Sequence, residues 1–344
     1  MCAFRSPITH MCRCRERRHP EGETRMILTA ALHVFSYAAF AVFVIAVAVR
    51  YHRIQSMPLH LRWDLYPVAH EGKRAHYGGS YFEELDWWTK PREFSLVGEL
   101  KGMLPEMLFM KALWEHNRPL WFRSFPFHFG LYLLIGWAGL LLIGAIAEVA
   151  GVAVSSEGGV GALIHYLTIL AGAFGFILSI IGAVALLHRR LTDEEVDGYT
   201  SPAHIFNLSL FILALAVGFL TYILADQTFS LARGYIRSLI TFNLTTPIGS
   251  GAVAAEFLLF SILVAYVPLT HMSHFFTKYF FYHKIRWDDE PNFKGSRIEK
   301  EITQALGYRV SWSAPHLKAD GKKNWADICT EEVDKEVREE AKKK

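Results

Sequence analysis

Five runs of apolar residues, roughly 27–49, 127–149, 161–187, 204–225 and 253–277, are each long enough to cross a bilayer, which takes about 20 residues of helix. In lipid every backbone N–H and C=O must be paired within its own segment, so runs of this kind are helices. The expected fold is an all-α membrane protein. Five transmembrane helices form a bundle, with TM1 over 26–50 and a core of TM2–TM5 over 126–281. A large loop (51–125) and a tail (282–344) lie outside the bilayer.

Hydrophobic residues make up 52% of the 344, and the net charge of +3 gives no sign of a nucleic-acid partner. The four cysteines, Cys2, Cys12, Cys14 and Cys329, form neither CxxCH nor an iron–sulfur spacing. Any redox centre must therefore be held by other residues. Residues 1–25 carry six arginines and three of the four cysteines. The run after them spans a bilayer and lacks a small-residue cleavage pattern, so it does not read as a signal peptide. The expectation is a chain that starts in earnest at Met26, with 1–25 a doubtful extension.

Lys and Arg set the orientation. They cluster after span one (Arg50, Arg53, Arg62, Lys111, Arg118, Arg123), after span three (Arg189, Arg190) and in the tail (Lys278, Lys284, Arg286, Lys294). The long loop, the 188–203 turn and the C-terminus are thus expected in the cytoplasm, with the mature N-terminus outside a plasma (inner) membrane. Within the loop, SLVGELKGMLPEMLFMKALW is amphipathic and interrupted by Pro105. It reads either as short helices lying on the membrane face or as a loop packing on its own protein. A short helix is expected over 297–307, then a charged, solvated end.

The chemistry lies in the histidines. His128 sits about one turn inside the apolar run FPFHFGLYLLIGWAGLLLIGAI, and His271 and His274 lie near the trailing edge of EFLLFSILVAYVPLTHMSHFF. An ionisable side chain at such a depth calls for a partner. Helices two and five cross in opposite directions, which brings His128 and His271 to the same membrane face. An iron porphyrin between two imidazoles satisfies both, so one haem b is expected on this pair. Gly130, Gly136 and Gly139 would let a macrocycle lie against the backbone. His274, about one turn beyond His271, could replace it or meet a propionate. His33 and His165 share a depth in the outer leaflet, which permits a second haem with these two as candidate ligands, or a quinone pocket that they line. The plainer reading makes each an ordinary interfacial or hydrogen-bonded histidine. Glu148, Glu157, Asp226 and Glu256 near the outer face, and Glu106 and Lys111 near the inner, could handle protons.

Five spans, FPFHFG opening the second and PLTHMSHFFTKYF closing the fifth, resemble the gamma subunit of respiratory nitrate reductase. PEMLFMKALW before span two and SWSAPHLKADGKKNWAD in the tail resemble the branch formed by the cytochrome b subunits of the Tmc, Hmc and Dsr redox complexes of sulfate reducers. The resemblance runs from Met26 to about Asp327. It implies two haems b, a cytoplasm-proximal one mapping onto His128 and His271. The second family histidine of span two would fall at Ala138 and the first of span five at Val253, neither of which ligates iron. It further implies a cytoplasmic iron–sulfur partner similar to the catalytic subunit of heterodisulfide reductase. On the outer side it implies menaquinone or a periplasmic multihaem cytochrome c. Two other functions fit the same residues: a proton-conducting membrane protein, or a haemless anchor that recruits soluble partners.

Overall fold

A computed structural model describes residues 20–56, 67–288, 292–314, 317 and 319–331. The expectations for 1–19 and for the charged end 332–344 lie outside the described residues. Among those described there is no strand, only two isolated bridges in the tail. The helices used below are α1 (Pro20–Gln55), α2 (Leu96–Leu108), α3 (Arg118–Val149), α4 (Gly159–Thr192), α5 (Pro202–Leu224), α6 (Ser230–Ile240), α7 (Gly251–Tyr266), α8 (His274–Phe281) and α9 (Arg297–Leu306).

Five segments have the length and apolarity of membrane spans: Met26–Gln55, Arg118–Val149, Gly159–Thr192, Pro202–Leu224 and Gly251–Leu269. The five-helix membrane fold read from the sequence is therefore present, with two changed boundaries. Span two begins at Arg118 rather than near Phe125, so His128 lies ten residues into the helix, about 15 Å. Span five ends at Leu269 rather than continuing to 277. Pro268 has no N–H and disfavours helix at the preceding residue, and the chain passes there into two short 3₁₀ turns, Val267–Leu269 and His271–Ser273.

The chain divides into two compact units. The first contains α1 up to Phe43 and everything from Arg118 to Tyr266. Here α3 and α4 cross closely: a Cβ at Gly182 would fall 2.6 Å from the Cα of Phe127, and one at Gly130 would collide with Ser179. Small residues at a crossing let two membrane helices approach to backbone contact. Trp137, Phe176 and Phe229 fill the interior with Phe260, ring centroids 5.3–6.4 Å apart. Helix α6 joins spans four and five and buries Ala232, Arg233, Tyr235 and Ser238. Arg233 ties it to α3 through Glu148 (2.6 Å) and to the 150s loop through the Val154 carbonyl (3.0 Å). Helix α1 is held by Ser36, whose hydroxyl lies 2.9 Å from those of both Tyr235 and Ser261.

The second unit comprises the chain from Val44 to Asn117 and from Val267 onward. Val68, Met103, Tyr282 and Trp287 form its small core, with Ala69 and Met107 against them. Gly98 of α2 meets the Ala69 carbonyl so closely that a Cβ has no room. Lys278 donates to the Glu106 carbonyl (3.1 Å), and His283 pairs with the buried Glu99 (2.6 Å). The end of α1 is fixed to the same group: Tyr51 packs on Phe280 at 5.2 Å, Lys284 donates to the Gln55 carbonyl (2.9 Å), and Arg50 bonds Ser273. Much of the long loop is thus folded. Pro105 does not interrupt α2; the helix runs three residues past it to Leu108.

Candidate functional site

His128 projects from α3 with Ser124 one turn before it. Its Nδ1 lies 2.9 Å from the Ser124 carbonyl oxygen. A carbonyl only accepts, so Nδ1 carries the proton and, in the neutral ring, Nε2 carries the lone pair. That tautomer is the one a metal ligand needs, held by the kind of bond that orients ligating histidines. Phe127 is buried at the crossing with α4, which fixes the backbone beside His128.

His271 and His274 lie beyond the last span, and both are exposed. His271, expected inside the trailing edge of span five, lies two residues past its end at Leu269, in a 3₁₀ turn capped by Thr270, whose hydroxyl accepts from the Met272 N–H (3.1 Å). His274 opens α8.

His33 is fully buried with both ring nitrogens engaged. Nδ1 donates to the Thr29 carbonyl at 2.7 Å, and Nε2 lies 2.6 Å from the Ser238 hydroxyl. Its ring packs on Tyr235, centroids 4.8 Å apart. Iron at His33 would have to displace Ser238. His165 is also buried, and its Nδ1 has no hydrogen-bond partner.

Of Gly130, Gly136 and Gly139, only Gly130 packs against a neighbouring helix. Gly130 is filled on its open side by Ser179 and Gly175 of α4, while a Cβ at Gly136 or Gly139 would meet no heavy atom within 4 Å. Val253, where the nitrate reductase pattern would put a histidine, is completely buried, and Ala138 is exposed. The interior of this unit is filled by the Trp137–Phe176–Phe229–Phe260 cluster.

The acidic residues expected near the outer face differ in their partners. Glu148 accepts from Arg233 and, at 3.0 Å, from Arg237. Asp226 caps the start of α6 by accepting from the Ala232 N–H (2.8 Å). Glu256 is buried with one oxygen lacking a partner. At the other end, Glu106 accepts from the Ala112 N–H (3.1 Å) and Lys111 pairs with Glu115 at 3.7 Å. The Glu99–His283 and Arg233–Glu148 pairs are not evident in the sequence, because 184 and 85 residues separate their members. No cluster of three or more metal-ligating side chains occurs among the described residues.

Five apolar helices, one of them carrying His128 inside its length, define a polytopic helical membrane protein. Residues 112–287, just over half of the chain, match the nitrate reductase gamma subunit family, and the chain belongs to that family. This is a haem b cytochrome family, so the protein is a membrane cytochrome b electron-transfer subunit. The match is shorter than the stretch from Met26 to Asp327 covered by the resemblance, and leaves α1 and α2 outside it. No curated protein and no solved structure matched the chain.

Proposed function

We propose that this chain carries haem b on His128 and His271 and passes electrons through the membrane for a respiratory complex. The observation that supports it most directly is the Nδ1–Ser124 bond, of the kind that orients a ligating imidazole. Chain direction supports the partner: after five alternating crossings the chain returns to the face from which span two starts. Haem, when bound, supplies one-electron exchange. The residues of the chain orient the imidazole through Ser124 and hold the backbone at Phe127. His274 is the second choice for the position of His271.

The complex is read as the sulfate-reducer type in an inner membrane, with the N-terminus outside and the C-terminus in the cytoplasm. There the loop and tail would meet an iron–sulfur subunit similar to that of heterodisulfide reductase. Menaquinone or a multihaem cytochrome c would be the outer partner. One haem is proposed rather than two. His33 is bonded at both nitrogens, and the Val253 position offers only hydrocarbon.

A reduced-minus-oxidised spectrum of the purified chain, with haem counted per chain, tests this. A b-type alpha band is expected, and His128→Ala should remove it. An unchanged band in that variant would refute the ligand assignment.

A further inference from the structure

Helix α2 presents apolar residues on its open side as well as to the core of its own unit. Its buried side carries Met103, which joins the small core of the unit, together with Gly98, Glu99 and Gly102, which lie against Ala69, His283 and Trp287. Its exposed side is aliphatic. Leu96 (57%), Val97 (63%), Leu100 (37%), Leu104 (40%) and Leu108 (42%) are all open. At 100° per residue these five fall within an arc of about 120°, with no charge inside it. Lys101 stands at its edge, exposed, where a long stem lets the ammonium reach water.

The surroundings of α2 within its unit indicate what covers this stripe. The helix is clamped to Lys278, His283 and Trp287, which follow the end of span five at Leu269. That segment is pinned to the last turns of span one through Tyr51, Gln55 and Arg50. Nine residues, 109–117, separate α2 from the start of span two at Arg118. Three spans therefore end or begin within a short reach of this helix.

We propose that α2 is an in-plane membrane anchor. Its Leu96–Val97–Leu100–Leu104–Leu108 stripe is immersed in the lipid at the boundary where span one ends, with Lys101 at the headgroup level. The occupant is the bilayer surface, favoured over a protein by the unbroken aliphatic lining and by covalent continuity with the spans. This inference does not depend on haem and stands or falls separately from it.

The test uses the full chain with its four cysteines changed to serine, reconstituted into vesicles of phosphatidylcholine and phosphatidylglycerol. Spin labels are placed by Leu100→Cys, Leu104→Cys and Lys101→Cys, with Val97→Cys and Leu108→Cys as substitutes should one of the first pair fail to insert. Labels at 100 and 104 should collide several-fold more often with lipid-soluble oxygen than with a water-soluble nickel complex, and the label at 101 should reverse that order. Equal access of the nickel complex to all three would overturn the proposal. So would labels at 100 and 104 that are shielded from both reagents, the signature of a protein partner on the stripe.

Discussion

Gly182→Ala and Gly136→Ala are the same chemical change on two membrane helices, with opposite surroundings. At Gly182 the new Cβ would lie 2.6 Å from both Cα and Cβ of Phe127, and at Gly136 it would meet nothing within 4 Å. Carbon atoms settle at about 3.5–4.0 Å, so α3 and α4 must separate by about 1 Å beside His128. Overpacking of this kind costs about 1–3 kcal/mol. The helix-propensity gain of glycine to alanine, up to about 1 kcal/mol, is common to both variants and cancels in their comparison. At about 2–4 °C per kcal/mol for a chain of this order, Gly182→Ala should melt some 2–12 °C below Gly136→Ala. Circular dichroism on purified protein in detergent measures this, and haem content should fall only in Gly182→Ala, since Phe127 adjoins the proposed ligand. Equal melting temperatures, or the reverse order, would refute the reading that Gly182 exists to admit Phe127.

Arg233→Met leaves Glu148 with Arg237 alone and the Val154 carbonyl without its donor. A loss of about 2–4 kcal/mol is expected, below the full value for a wholly buried pair because Glu148 is partly exposed; thermal unfolding reads it. Burial pushes the Lys278 amine below its usual range, and the nearby Glu106 opposes only part of this. The unfolded chain then holds a proton that the folded one has lost, so stability should rise as pH climbs through the folded pKa toward the ordinary lysine value. Lys278→Met should flatten that alkaline rise, and a melting curve that keeps the rise in the variant would exclude Lys278 as its source. Glu99→Leu should loosen α2, because His283 Nε2 loses its partner at 2.6 Å; faster amide exchange over 96–108 would show it.

Span number, helical class and the prominence of His128 are legible in the sequence because apolar length and a histidine within an apolar run are local properties of the chain. The end of span five is not, because hydrophobicity continues past Pro268 while the backbone does not stay helical. His33 looks equivalent to His128, since both lie in apolar helices and both bond a carbonyl one turn earlier. The ring of His33 is fixed at Nε2 as well. Its partner there is Ser238, 205 residues away, delivered by a helix the apolar runs do not announce. The same holds for glycine: Gly130 and Gly136 read alike, and only the crossing with α4 makes one indispensable and the other idle. Lipid dictates helices directly from composition, whereas the choice of partner for each polar atom depends on which distant segment packs opposite it.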